Sequence, residues 1–241
     1  MSTLFISDLH LDDSRPHITT LFEHYLASDE VRKADALYIL GDLVEAWVGD
    51  DDDAELPNRI ANATIAVRDA GVPVYFIVGN RDFLLGKTYA TRAGMTLIED
   101  GAVHDLYGTP TLLMHGDLLC TDDVAYQELR RQVRSPAWKA QVLSMPLEAR
   151  RALAAKARAE SRSYTRGAQE TLMDVNADTV AQAMRHASVT HLIHGHTHRP
   201  AIHHFDLDGQ TAERIVLGDW YEQGSVLRIT PESRQLRAVR E

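Results

Sequence analysis

The sequence has a single cysteine, Cys120, which excludes an internal disulfide and agrees with a reducing compartment; a buried structural thiol is its expected role. No apolar run approaches the roughly 18 residues that a membrane span requires, and residues 1–7 form a short strand-like run without the basic start of an export signal. Internal repeats, low-complexity tracts and long linkers are also missing, so no array or tethered second module is indicated. Positive charge is scarce overall: the net charge of −10 argues against a nucleic-acid binder working through its whole surface. What remains is a globular chain of 241 residues, with room for one domain or for one domain carrying an inserted subdomain.

That average charge conceals a segregation. Within residues 122–166 basic side chains outnumber acidic ones, and Ala, Arg, Leu and Glu dominate a stretch punctuated by Pro136 and Pro146, which reads as two to four helices. On either side the pattern differs. Apolar, β-rich runs at 3–6, 36–40, 73–78, 111–114 and 191–193 read as buried strands, with amphipathic stretches at 17–33 and 56–70 between the first three. After Arg199, short runs at 201–205, 214–217, 225–229 and 235–239 are separated by turn signals and predict an antiparallel meander. The expectation is an α/β fold with a mixed or two-sheet core. The acidic run Asp50, Asp51, Asp52 and Asp53 reads as a solvated loop rather than a metal site.

Each buried strand ends in residue types that bind metals: Asp8 and His10, then Asp42, then Asn80, then His115, then His196 and His198. Asp8 and His10 stand two apart, so an extended backbone would point both to one side and let them share one ion; His196 and His198 repeat the device. The intervals from Asp8 to Asp42, Asn80 and His115 are each about 35 residues, one βαβ step. His115 to His196 fits the same period once about 45 residues are treated as an insertion, which then sprouts from the ligand-bearing edge and covers it. The expected division is a core of residues 1–120 and 176–241 with an inserted helical lid at 121–175.

Oxygen donors mixed with imidazole suit Mn²⁺, Fe²⁺ or Zn²⁺, with Mn²⁺ the first choice, and the absence of ligand thiolates argues against a structural zinc site. Asp42 stands alone at its strand end, as a carboxylate bridging two cations would. A water shared between such ions and held at Asp42 becomes a nucleophile near neutral pH, which points to phosphoester hydrolysis. His17, His24, His104, His186, His191, His203 and His204 lack this setting and read as structural or surface residues.

The blocks Asp8-Leu9-His10, Gly41-Asp42, Gly79-Asn80-Arg81-Asp82, His115-Gly116-Asp117 and Gly195-His196-Thr197-His198 resemble the calcineurin-like metallophosphoesterase superfamily. With "FISDLHLDD", "GNRDFLLGK", "LLMHGDLLCTDD" and "RIVLGDW", the chain is similar to its branch of UDP-2,3-diacylglucosamine pyrophosphatases, over most of its length outside the middle of the insertion. The resemblance implies a layered sandwich of mixed sheets flanked by helices, two Mn²⁺ ions, and hydrolysis of UDP-2,3-diacylglucosamine at the α-phosphorus to UMP and the diacyl sugar 1-phosphate, a step of lipid A biosynthesis. Carried over residue by residue, Asp8, His10, Asp42 and His198 hold one ion, and Asp42, Asn80, His115 and His196 the other. Asn80, Arg81, Asp123, Ser161, Thr165 and His196 contact substrate. Where related members tend to carry Asn and Lys this chain has Thr165 and Ala168, and Arg158, Arg162 or Arg166 could substitute there.

Many superfamily members carry His after the motif Asn, where it protonates a leaving alkoxide; Arg81 occupies that position. Arginine cannot act as an acid at neutral pH, but its fork binds phosphate oxygens, so Arg81 favours a leaving group that departs as phosphate. A surface ion pair with Asp82 is the plainer alternative. The basic insertion suits a diphosphate and an anionic membrane surface. Leu143, Met145, Leu147, Leu153, Leu172 and Met173 line an acyl slot or form the insertion's own core, and Trp138 anchors at an interface or packs, while Trp47 and Trp220 pack near the site. The implied setting is a cytoplasmic enzyme peripherally attached to the inner membrane, with a lipid-linked nucleotide sugar as substrate, no nucleic-acid partner and no obligate protein partner.

Overall fold

The computed structural model describes residues 1–167 and 174–240, the side chains of 162–167 excepted. Its organisation follows from strand β1 (Thr3–Ile6), buried along its whole length. Successive side chains of a strand point to opposite faces. Leu4 and Ile6 accordingly join one apolar cluster with Leu37, Ile39, Val74 and Phe76, while Phe5 joins another with Tyr38, Leu40 and Ile77. Burial on both faces is why this run shows no alternation in the sequence.

β2 (Ala36–Ile39), β3 (Val74–Phe76) and β4 (Met95–Leu97) extend the sheet from β1 by parallel pairing. On the other side β10 (Gly224–Ile229) pairs antiparallel with β1 and then with β11 (Arg234–Val239), giving the order β11-β10-β1-β2-β3-β4. A second sheet contains β5 (Ala102–Leu106), β6 (Thr109–Met114), β7 (His191–His194), β8 (Ala201–Leu207) and β9 (Gln210–Val216), in the order β5-β6-β7-β9-β8. Phe5, Tyr38 and Ile77 meet Leu113, Ile193 and Ile215 between the sheets. Helices α1 (Pro16–Leu26) and α3 (Glu55–Asp69) cover the outer face of the first sheet through Ile18, Phe22, Ile60 and Val67. Helix α8 (Ala177–Ala187) covers the second through Val180 and Met184 against Leu112 and Leu192. The layers run helix, sheet, sheet, helix.

Several expectations need correction. The stretch 17–33 is two helices, because the Ser28 side chain accepts from Val31 N and starts α2 (Asp29–Arg32) afresh. The C-terminal strands are two hairpins in different sheets rather than one meander, since β9 pairs with β7 and β10 with β1. The interval from Asn80 to His115 is no βαβ step: the chain passes through α4 (Lys87–Arg92), β4 and β5 and changes sheets before β6.

Between β6 and its parallel neighbour β7 lie α5 (Val124–Val133), α6 (Pro136–Leu143), α7 (Leu147–Gly167) and α8. Among the described residues, none from α5, α6 or α7 belongs to the three apolar clusters. Charge holds them instead. Arg130 Nε lies 2.7 Å from Asp117 Oδ2, Lys139 Nζ donates to Phe83 O at 2.8 Å, and Arg158 Nε lies 2.8 Å from Glu45 Oε1. The run Asp50–Asp53 is a loop whose Asp51 and Asp53 side chains remain 64% and 78% exposed, but its last three aspartates take part in this docking. Asp50 accepts from Gly86 N and Tyr89 N, Arg150 Nη1 donates to Asp51 Oδ1 at 2.7 Å, and Arg151 bridges Asp52 and Asp53. Much of the insertion's positive charge, aimed from sequence at a diphosphate and a membrane, thus meets the acidic core of its own chain. Trp47 and Trp220 are buried, Trp138 packs on Phe83 at 5.8 Å, Leu143 and Leu153 are exposed, and Leu172 and Met173 lie outside the described residues. No helix among the described residues is long and apolar enough to cross a membrane.

Candidate metal centre

Strands β1, β2 and β3 of one sheet and β6 and β7 of the other end at a common edge, and the candidate ligands follow them at Asp8, Asp42, Asn80, His115 and His196. Backbone bonds tie the turns together: Asp8 N donates to Gly41 O at 3.0 Å, His10 N to Asp42 O at 2.9 Å, and Gly195 N to His115 O at 2.8 Å. The approach is close enough to demand glycine. A Cβ on Gly79 would stand 2.2 Å from Asp42 Oδ1, and one on Gly195 would stand 2.4 Å from Asp8 Oδ2.

Asp8, His10, Asp42, His196 and His198 have φ of 55°, 47°, 52°, 70° and 55°. This left-handed region costs a non-glycine residue roughly 1–2 kcal/mol. Strain so concentrated in one edge is a mark of function. It also corrects the reasoning from an extended backbone: Asp8 and His10 do fall in one group, but through left-handed turns, and His196 and His198 part company.

Two groups result, Asp8 with His10 and His198, and Asp42 with His115 and His196, the donor atoms of each lying within 4.8 Å of one another. Asp42 faces both. Its Oδ2 lies 3.7 Å from His10 Nε2 and its Oδ1 lies 3.6 Å from His115 Nε2. One end of the Asn80 amide lies 2.9 Å from His115 Nε2, 2.9 Å from His196 Nδ1 and 3.3 Å from Asp42 Oδ2. With the amide nitrogen at that end the contacts are hydrogen bonds; with the carbonyl oxygen there, four acceptors converge as around a cation.

The electrostatics carry the same signature. Burial alone would raise the Asp8 carboxyl, but the hydrogen bond from His198 and the nearby imidazoles hold it well below the usual range. Burial would lower the His115 imidazole, yet Asp42, Asp117 and Asp8 push it up to about 9. Burial and the charge of His115 push His196 down to about 4. A site that draws protons onto one buried imidazole and leaves Asp8 Oδ1 buried, with the His198 imidazole 3.5 Å away and no well-aligned donor, is built for positive charge. The outward nitrogens are anchored: His115 Nδ1 lies 2.8 Å from Leu40 O, His10 Nδ1 lies 3.1 Å from Glu45 Oε2, an ion-pair contact rather than an aligned hydrogen bond, and His198 Nδ1 lies 3.5 Å from Asp219 Oδ2. The residues fit two divalent cations.

Arg81 is not paired with Asp82. Asp82 is fully buried, accepts from Leu43 N at 2.7 Å and Gly79 N at 2.6 Å, and is pushed up to about 7 by burial and then by the Asp42 charge. Arg81 stands over the groups, with its N–H donating to Asp42 Oδ1 at 2.8 Å, Nε 3.8 Å from Asp42 Oδ2 and Nη1 3.5 Å from Ser161 Oγ. Asp123 caps α5, accepting from Tyr126 N at 2.9 Å, and Tyr126 lies with its ring 6.1 Å from that of His196 and its hydroxyl on Asp117. The side chains of Thr165 and Arg166, and all of Ala168, lie outside the described residues.

The first 200 residues match the family model of calcineurin-like phosphoesterases. The chain belongs to that family. It is a hydrolase, and curated relatives agree over nearly its whole length. A UDP-2,3-diacylglucosamine hydrolase of Xanthomonas oryzae pv. oryzae is 56% identical over 243 residues, covering 98% of each chain. Proteins of the same name from Stenotrophomonas maltophilia and Cellvibrio japonicus are 55% and 54% identical, covering 95% and 98% of each chain. The crystal structure of a dimetal phosphatase from Danio rerio, 12% identical with a TM-score of 0.52, covers 99% of this chain and 95% of that one and is alike in fold.

Sequence reasoning gave Asp82 only an ion pair with Arg81 and assigned no role to Asp117, Glu45, Tyr126, Asp219 or Tyr221. Asp82 and Asp117 carried a signal, each standing two residues after a candidate ligand. Glu45 carried none, since its partner Arg158 is 113 residues away. Tyr221, whose ring stacks on His10 at 5.3 Å, comes from the β9–β10 turn.

Proposed function

We propose that the protein hydrolyses the diphosphate bond of UDP-2,3-diacylglucosamine by attack of water on the α-phosphorus, giving UMP and 2,3-diacylglucosamine 1-phosphate, a step of lipid A biosynthesis. The observation that carries the reaction class is the Asp42 carboxylate, whose two oxygens face the two imidazole groups. The names of relatives more than half identical support the substrate. Asp8, His10, Asp42 and His198 would hold one Mn²⁺ and Asp42, Asn80, His115 and His196 the other; such ions would supply Lewis-acid charge to the phosphoryl oxygens and acidify water.

The chain's own residues do the rest. Arg81, fixed at the Asp42 edge, binds the non-bridging phosphoryl oxygens through its fork and offsets charge as the sugar phosphate departs. The leaving group is a phosphate monoester, with a second pKa near 6, and needs no proton from the enzyme. That is why arginine serves at this position. Asn80 and His196 line the phosphate, and Asp123 acts through Tyr126. Ser161 steadies Arg81, and Thr165 and Arg166 extend the grip on the sugar phosphate. Residues 121–175 form a lid on the core of 1–120 and 176–241. Exposed Val124, Leu129, Leu143 and Leu153 on that lid support peripheral contact with the inner face of an anionic membrane.

Hydrolysis in H₂¹⁸O with Mn²⁺ tests the reading. Label in UMP supports α-phosphorus attack; label in the sugar phosphate alone reverses the attacked atom, and no turnover of this substrate rejects it.

A further inference from the structure

Helix α7 turns one stripe toward the core. Arg150 is buried and Arg151, Ala154, Arg158 and Ser161 are partly buried, at the spacing of one helical face, while Ala152, Leu153, Lys156, Ala157 and Glu160 are exposed. Near its start the stripe is gripped by the Asp51–Asp53 run, and Ser161 further along reaches Arg81. Between them stands a contact of another kind. Glu45 Oε1 accepts from Arg158 Nε at 2.8 Å, and Glu45 Oε2 lies 3.1 Å from His10 Nδ1. One carboxylate joins the docked helix to a candidate ligand of the first cation group.

A carboxylate 3.1 Å from Nδ1, although not aligned as a hydrogen bond, favours one orientation of the ring and a proton on that nitrogen, leaving Nε2 as the ligand atom. His10 Nε2 lies 3.2 Å from His198 Nε2 and 3.7 Å from Asp42 Oδ2, on the cation side. The contact is also shielded: the Glu45 and Arg158 side chains are 21% and 14% exposed, unlike the rim ion pairs that contribute little. We propose that Glu45 is a positioning residue through which docking of α7 and cation binding by Asp8, His10, Asp42 and His198 strengthen one another. Binding couplings are reciprocal, so whatever factor the docked helix adds to cation affinity, the cation adds to docking. Helix α7 therefore docks more firmly against a loaded site than against an empty one. This inference rests on the two-cation reading.

The test uses the full chain as wild type, Glu45→Ala, Glu45→Gln and Arg158→Gln, each titrated with Mn²⁺ by electron paramagnetic resonance and followed by hydrogen–deuterium exchange of the amides of residues 147–161. In the wild type Mn²⁺ slows that exchange. Glu45→Ala and Arg158→Gln abolish the slowing and weaken one of the two Mn²⁺ sites by about 10–100-fold, the range known for groups that orient metal ligands. Glu45→Gln, which can accept from only one of its two partners, recovers part of each effect. Should Glu45→Ala not fold, Arg158→Gln decides, since it touches no candidate ligand. Unchanged Mn²⁺ affinity, or an undiminished slowing in these variants, overturns the coupling and leaves the two-cation reading standing. A wild-type protein that binds no Mn²⁺ overturns both.

Discussion

Replacing Arg81 should separate diphosphate chemistry from phosphodiester chemistry in this fold. Its Nε lies 3.8 Å from Asp42 Oδ2 and its side chain is 18% exposed, so a phosphoryl oxygen held at the Asp42 edge meets the guanidinium at comparable range and little diluted by water. At about 4 Å and an effective dielectric of about 20, one unit charge contributes about 4 kcal/mol. If most of that develops only as charge moves to the leaving phosphate, Arg81→Ala lowers kcat by about 10²–10³ with a small change in KM. Arg81→Lys keeps the charge without the fork and recovers part of the loss. Arg81→His is as poor as Arg81→Ala on the diphosphate but better than either on an alkyl phosphodiester, whose alkoxide needs the proton that imidazole can give. Steady-state kinetics on UDP-2,3-diacylglucosamine and on an alkyl phosphodiester read all three. Arg81→Ala within threefold of wild type on the diphosphate, or equal losses by every variant on both substrates, would refute the assignment.

Two further outcomes bear on the frame that carries the site. Phe5, fully buried and stacked on Tyr38 with ring centroids 4.8 Å apart, fills the space between the sheets, and Phe5→Ala should cost about 3–5 kcal/mol in urea unfolding of the metal-free protein; a loss under 1 kcal/mol would mean that the inter-sheet core is not where the stability lies. Burial pushes the Cys120 thiol up to about 12, so iodoacetamide at pH 8 should leave the native protein unmodified and label it only after unfolding, and rapid native labelling would contradict that environment.

The strands that carry the site were legible because each has an apolar run that stops at a ligand, with a glycine beside that ligand in all but β1. β4 and β5 were not. Met95–Leu97 is three residues long, and Ala102–Leu106 is a hairpin edge whose alternating exposure leaves little apolar signal. The partner of each C-terminal strand was also beyond reach, because pairing of β9 with β7 and β10 with β1 is decided by contacts distant in sequence. The candidate ligands are brought together all the same, since strand ends converge whichever sheet they belong to. What local pattern could not give was charge pairing: the four aspartates read as a solvated loop and the basic insertion as a surface for diphosphate and membrane, whereas Arg150 and Arg151 meet Asp51, Asp52 and Asp53. Left-handed backbone at Asp8, His10, Asp42, His196 and His198 was also hidden, because Asp and His adopt it more often than most residues but far less routinely than glycine.

The central claim is that Asp42 joins two cations into one reactive centre. Electron paramagnetic resonance of the Mn²⁺-loaded chain tests it most directly. The account predicts two Mn²⁺ per chain with the spectrum of an exchange-coupled pair, and loss of both coupling and turnover in Asp42→Ala. Uncoupled single-ion signals from the wild type, or near-normal turnover by Asp42→Ala, would contradict it.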